Sequence, residues 1–450
     1  MRAEATGPLT HGRVWTIAWP IVLSNATVPI LGAVDTGVVG QLGEAAPIGA
    51  VGLGAVILTA LYWVYGFLRM GTAGLTAQAL GAEDRGEVAA LLTRALMIGG
   101  AAGLAVIALQ WPLFQGAFAL APASQEVEAL AQEYMAIRVW SAPALISIYG
   151  ITGWLIAQER TRAVLMLQVA MNGVNIGLDL LFVLGFGWGV EGVAVATFIA
   201  EWSGLALGLW FCRDAFGIPA WRDWLRVFDR ARLVNMARVN SDILIRSVLL
   251  QAIFVSFLFW GSDFGDVTLA ANQVLLQFLN ITAYALDGFA FAAEALVGKA
   301  MGAGNRAALR RAAGLTSLWG LGAGVLLAGT FWLSGPALID LMATAPDVRE
   351  AGRAYLGWMI AAPLVGAGAW MLDGIFIGAT RTADMRNMMA VSAAVYLVAV
   401  IPLMGAFGNH GLWIGLLVSF AVRGLTLGLR YPALEAAAGE ARPGAVSVAP

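Results

Sequence analysis

Apolar residues run through this chain in blocks of about 20 or more, separated by short polar intervals. A helix needs about 20 such residues to cross the hydrocarbon core of a bilayer. Windows of that kind fall at 15–39, 48–72, 90–111, 133–157, 163–185 and 190–212. After a longer polar interval six more follow, at 238–260, 267–291, 309–332, 352–377, 386–405 and 409–430. The pattern predicts an all-α integral membrane protein with 12 transmembrane helices in two halves. The first window follows MRAEATGPLTHGR, runs past 20 residues and lacks a small-residue cleavage site, so it is expected as a retained helix. The stretch after Tyr431, PALEAAAGEARPGAVSVAP, has the composition of a disordered terminus.

Charge sets the orientation, because Arg and Lys near helix ends stay in the cytoplasm. Arg85, Arg94, Arg160, Arg162, Lys299, Arg306, Arg310, Arg311, Arg381 and Arg386 lie in or beside alternate loops, whereas the intervening loops carry only Arg349 and Arg353. Both termini are therefore expected in the cytoplasm. The segment RDAFGIPAWRDWLRVFDRARLVNMAR, with six Arg and amphipathic stretches, reads as a connector lying on the membrane surface and not as a nucleic-acid site. Two motifs recur at a common offset of 221 residues: ALGAEDR (79–85) with AMGAGNR (300–306), and LIAQERT (155–161) with FIGATRT (376–382). One offset for both implies a parallel six-helix repeat about an axis along the membrane normal. The expected organisation is an amino lobe at 1–212, a cytoplasmic amphipathic connector at 213–237, a carboxy lobe at 238–430 and a disordered cytoplasmic tail at 431–450.

Composition narrows the chemistry. With 60% apolar and 12% charged residues and a mean hydropathy of +0.79, the solvent for most of the chain is lipid. A single cysteine, Cys212, excludes an internal disulfide, and two histidines, His11 and His410, leave little for a metal centre. No cofactor is expected.

A charge at the bilayer centre costs about 3 kcal/mol on insertion scales, so acids inside the spans are functional candidates by default. Asp35 lies in the first window after Pro20 and Pro29, which free backbone carbonyls and permit a bend. In the fifth window Asn172, Asn175 and Asp179 are spaced i, i+3, i+7 and share one helical face. Thr197 in the sixth falls at a depth similar to Asp179 and Asp35 once the orientation is applied. Two carboxylates with an amide and a hydroxyl can hold a proton, or Na⁺ through oxygen ligands. The structural alternative is that Asp179 merely joins helices by hydrogen bonds. Met166 and Met171 are candidate members of an adaptable binding wall, with ordinary packing as the alternative. Asp287, Glu294 and Asp373 line a cytoplasmic vestibule or anchor helix ends. Asp242 and Arg246, four apart, can pair with each other, whereas Arg138 and Glu201 have no assigned partner.

These residues carry a resemblance. LTHGRVWTIAWPIVLSNATVPILGAVDTGVVGQLG, AQALGAEDRGEV, NGVNIGLDLLFVLGFGWGVEGVAVAT and LDGIFIGATRTADMRN resemble the multidrug and toxic compound extrusion (MATE) transporters of the DinF-like branch, over residues 9–430. The resemblance implies two pseudo-symmetric six-helix lobes in the V-shaped MATE/MOP-type fold, with H⁺ or Na⁺ exchanged for organic, often cationic, compounds. It further implies that Asp35, Asn175, Asp179 and Thr197 form an amino-lobe cation site and that Pro20 bends helix 1. A tyrosine found in some relatives one turn before the first-helix Asp is Leu31 here. The NorM branch uses carboxy-lobe acids, for which helix 7 offers no counterpart, and Asp373 does not align with their helix-10 acid.

The expected function is cation-coupled efflux of toxic small organic compounds by alternating access, most simply with H⁺ and otherwise with Na⁺, by a monomer in the bacterial inner membrane. A lipid-linked oligosaccharide flippase of the same superfamily would want several basic residues in its cavity for a pyrophosphate. A membrane-embedded enzyme would need a nucleophile with a base, or a metal cluster, within the spans.

Overall fold

The computed structural model describes residues 8–41 and 45–440, apart from the side chains at 30, 31, 33, 35, 36 and 440. Within these residues the chain forms helices joined by short turns, with no strand. The long helices are α1 (His11–Gly40), α2 (Ala45–Gly81), α3 (Arg85–Ala108), α4 (Gln125–Ala157), α5 (Thr161–Gly185) and α6 (Gly189–Phe211). A second set comprises α7 (Arg230–Phe264), α8 (Asp266–Gly302), α9 (Arg306–Met342), α10 (Pro346–Gly378), α11 (Thr382–Phe407) and α12 (Asn409–Glu440). Among the described residues, α2 to α12 give 11 helices long and apolar enough to cross a membrane. α1 has 30 residues, or about 45 Å of helix, and its length is also sufficient.

By packing, the chain forms two compact units. One holds Leu23–Thr76 and Asp84–Leu233; the other holds α1 up to Val22, Ala77–Glu83 and the chain from Val234 onward. α1 therefore passes from one unit to the other two residues beyond Pro20, a buried residue whose ring removes one helical hydrogen bond.

The internal repeat extends to backbone detail. The turn after α2 ends with Glu83 at φ 58°, and its counterpart after α8 has Gly304 at φ 63°. Asp84 then caps α3 by accepting from the Glu87 amide at 2.9 Å, as Asn305 caps α9 by accepting from Ala308 at 2.9 Å. The turn after α4 has Glu159 at φ 62°, matched after α10 by Thr380 at φ 50°. Close helix crossings repeat too. A Cβ on Gly153 of α4 would lie 2.1 Å from the Arg69 carbonyl oxygen of α2, and one on Gly374 of α10 would lie 2.5 Å from that of Ala290 in α8. Glycine at both places lets backbones touch, the usual way membrane helices gain packing energy without a hydrophobic drive.

The segment between α6 and α7 folds onto the first unit as short helices, Arg213–Phe216, Pro219–Arg222 and Trp224–Val227, and α7 begins at Arg230. Arg94 of α3 holds it: Nε donates to the Val227 carbonyl at 2.8 Å and Nη2 to that of Arg226 at 2.6 Å, satisfying carbonyls at a helix end. Arg94 is buried and also bridges Glu87 at 2.6 Å. Loop charge read from sequence as an orientation signal thus also serves as a clamp. At the other end, residues 431–440, expected to belong to a disordered tail, continue α12. Leu434 and Ala438 are buried, and Glu435 accepts from Arg306 at 2.8 Å and from Arg310. These contacts supply the burial that composition alone did not reveal; residues 441–450 lie outside the described residues.

Candidate cation-coupling site

α5 presents Asn172, Asn175 and Asp179 on one face, and all three are buried, Asp179 completely. The i, i+3, i+7 spacing is what makes this possible, because it keeps the three side chains on one stripe of the helix. Asn172 donates from Nδ2 to Thr27 Oγ1 of α1 at 2.9 Å and accepts from Gln168 Nε2 at 2.9 Å. Thr27 Oγ1 in turn donates a hydrogen bond to the Ser24 carbonyl at 2.7 Å. One turn further, Asn175 donates to Thr197 Oγ1 of α6 at 3.2 Å, and Thr197 donates to the Val193 carbonyl at 3.0 Å. Asn175 Oδ1 has no hydrogen-bond donor among the described residues. It is a bare acceptor on the face that carries the Asp179 carboxylate one turn later.

The geometry at Asp179 has a feature that the sequence did not announce. The α-helical hydrogen-bond pattern stops there, and Leu180–Gly185 continue as a π-helical segment. The wider turn is closed by Gly187 and Gly189, both at positive φ, with Phe182 stacked on Trp188 at 4.9 Å. π-bulges recur at functional positions because they re-aim a side chain without ending the helix. The only sequence signal for it is the glycine spacing after Leu184.

The structure thus brings Asn172, Asn175, Asp179 and Thr197 together in the first unit. Asp35 lies on the helical backbone of α1, but its carboxylate, like the Leu31 side chain, is outside the described residues. Met166 is exposed, and Met171 packs its sulfur against Gly204 of α6. Asp287, Glu294 and Asp373 belong to the second unit, where Asp287 is half-buried and the other two are buried.

The remaining charged groups sort into pairs. Arg138 of α4 and Glu201 of α6, unassigned from sequence, are bonded at 2.6 Å, and Arg138 also donates to Tyr134 Oη at 2.8 Å. Glu201 sits one turn beyond Thr197, which extends the buried polar stripe of α6. Asp242 and Arg246, expected to pair with each other, bond elsewhere. Asp242 accepts from Arg386 at 2.6 Å and Thr382 at 3.0 Å, and Arg246 is ion-paired with Asp373. Tertiary partners with better geometry outcompete the i, i+4 contact. The lone thiol, Cys212, lies just past α6, where burial pushes it up to about 12 and keeps it protonated. No group of His, Cys, Asp and Glu among the described residues is arranged to hold a metal ion.

Comparison with known proteins identifies the family. The MatE family model matches residues 20–181 and again 243–403, once in each set of helices. DNA damage-inducible protein F of Escherichia coli is 38% identical over 425 residues, spanning 92% of this chain and 90% of that protein. A probable multidrug resistance protein NorM of Pseudomonas aeruginosa is 26% identical, spanning 92% and 88%. The crystal structure of a MATE transporter of Vibrio cholerae in its bent form superposes with a TM-score of 0.86 at 20% identity, covering 96% of this chain and 98% of that one. The chain therefore belongs to the MatE family of multi-pass, ion-coupled secondary transporters, which are not enzymes.

Proposed function

We propose that this protein is a proton-driven exporter of small toxic organic compounds in which Asp35 and Asp179 carry the coupling proton, supported by Asn175 and Thr197. The observation that carries the reading is the buried polar stripe of α5, tied to α1 at Thr27 and to α6 at Thr197. The Thr27–Asn172 bond also supplies a register. α1 and α5, both odd in the order of crossings, run in the same direction. Asp35 lies eight residues past Thr27 and Asp179 seven past Asn172, so the two backbones rise about 12 Å and about 10 Å from the bond and reach nearly one level. Two carboxyl-bearing positions at one depth, with an amide and a hydroxyl beside one of them, suit a site that takes up and releases a proton.

In this reading both termini are cytoplasmic, following the loop charges, and the protein works as a monomer of two lobes, 1–212 and 238–430, in the inner membrane. Pro20, beside the point where α1 passes between units, is the place where α1 changes its bend as Asp35 gains or loses its proton. Na⁺ is the alternative ion, held by the oxygens of the same residues. Substrate efflux from inside-out vesicles, with ΔpH and ΔNa⁺ imposed separately, decides between the ions. Transport driven by ΔpH in Na⁺-free buffer supports the proposal; transport driven by ΔNa⁺ alone overturns the proton assignment.

A further inference from the structure

The second unit contains a buried charge cluster that does not balance. Arg246 of α7 is ion-paired with Asp373 of α10, and Arg423 of α12 places Nη1 3.8 Å from the same carboxylate, beyond hydrogen-bonding distance. All three residues are buried, Arg423 to 2% exposure. Two guanidinium groups, those of Arg246 and Arg423, thus share one carboxylate. The next acid along α7, Asp242, is already taken by Arg386 and Thr382. Three donors, Arg423 Nε, Arg423 Nη1 and Arg246 Nε, and one acceptor, Asp373 Oδ1, have no hydrogen-bond partner among the described residues, so the donors outnumber the one acceptor still open to them.

A fixed positive charge held away from water with unused donors is costly, and such groups are found paired or binding something. Around it the walls are aromatic. The Arg423 guanidinium carbon lies 5.7 Å from the ring centroids of both Trp370 and Phe420, which stand edge-to-face 5.3 Å apart, and Phe254 borders Phe420. Trp370 is only partly buried, so its ring lies between Arg423 and the unit's surface.

We propose that Arg423 and Arg246 form a binding site for an organic monoanion, a carboxylate or sulfonate attached to an aromatic or apolar body. Charge selects the ligand. One negative charge brings the cluster to neutrality, a pyrophosphate overshoots it, and an organic cation adds to the excess. The planar guanidinium of Arg423 suits a two-oxygen anionic head, and Trp370, Phe420 and Phe254 suit the body. Asp373 is the resident competitor that the ligand's head group partly displaces from Arg423. The site belongs to the second unit and the proposed proton site to the first, and neither reading needs the other.

The test is equilibrium dialysis of the full chain in phosphatidylcholine nanodiscs against 2-naphthoate and its uncharged isostere 2-naphthamide, with empty nanodiscs as background. The expected result is a preference for 2-naphthoate of about tenfold or more, the worth of a charge-assisted hydrogen bond. Arg423→Gln, which leaves Arg246 and Asp373 as a balanced pair, should abolish the preference, and Arg423→Lys should keep part of it. Asp373→Asn removes the competitor and should tighten 2-naphthoate binding, a gain that misfolding cannot produce. Equal binding of the two probes by the wild type, or an undiminished preference in Arg423→Gln, overturns the proposal. Loss of the preference when phosphatidylglycerol is added to the nanodiscs also overturns it, because the anion held is then a lipid headgroup.

Discussion

Replacing Arg138 with methionine leaves the Glu201 carboxylate buried without its cation. The two are bonded at 2.6 Å with side chains 12% and 7% exposed, and the second Glu201 oxygen already has no hydrogen-bond donor among the described residues. Removing one member of a buried pair typically costs about 3–5 kcal/mol, since the desolvation of the survivor is no longer offset. Glu201→Leu alone should cost a similar amount, because the guanidinium then keeps only its bond to Tyr134. The double variant removes both charges and both desolvation penalties and should lie within about 1 kcal/mol of wild type. The cycle is therefore expected to show non-additivity of several kcal/mol, the double variant being more stable than either single one. The assay is reversible unfolding in mixed micelles, titrated with SDS and followed by the fluorescence of the 17 tryptophans. Singles within about 1 kcal/mol of wild type, or a double variant as unstable as the singles, would show that water reaches this pair and would refute the reasoning.

The same titration checks three further expectations. Gly153→Ala and Gly374→Ala drive a methyl into backbone oxygens at 2.1 and 2.5 Å and should each cost about 3 kcal/mol, whereas Gly173→Ala, with nothing within 4 Å, should be neutral or stabilising. Glu83→Gly relieves an exposed left-handed residue and should stabilise by up to about 1 kcal/mol, and Gly304→Ala at the equivalent turn should destabilise by about as much. Truncation after Tyr431 removes buried Leu434 and Ala438 and the Glu435 bridge to Arg306 and Arg310, and should cost about 2–4 kcal/mol.

The helices and the repeat were legible because lipid imposes a coarse rule: a long apolar window must be a helix, and two loop motifs at one offset betray duplication. The α5 stripe was legible for a similar reason, since Asn172, Asn175 and Asp179 stand out against an apolar background at helical spacing. What escaped was pairing across helices. Arg138 with Glu201, and Arg246 with Asp373, join residues 63 and 127 positions apart, and nothing local distinguishes those partners from Asp242, which lies one turn from Arg246. The clamp formed by Arg94 on Arg226 and Val227 was hidden because an arginine near a helix end also satisfies the rule that sets orientation. The π-helical segment after Asp179 has no hydrophobic period of its own. The helical end of α12 was hidden in a segment whose Ala and Glu content reads equally well as solvated chain.

The central claim is that the amino-lobe carboxylates, and not those of the second unit, carry the coupling proton. Proteoliposomes loaded with a transported dye, assayed for ΔpH-driven flux and separately for dye-for-dye exchange at equal pH, test it most directly. Asp35→Asn and Asp179→Asn are predicted to lose ΔpH-driven flux while retaining exchange, and Asp373→Asn is predicted to respond to ΔpH as the wild type does. Undiminished ΔpH-driven flux in both amino-lobe variants would contradict the account.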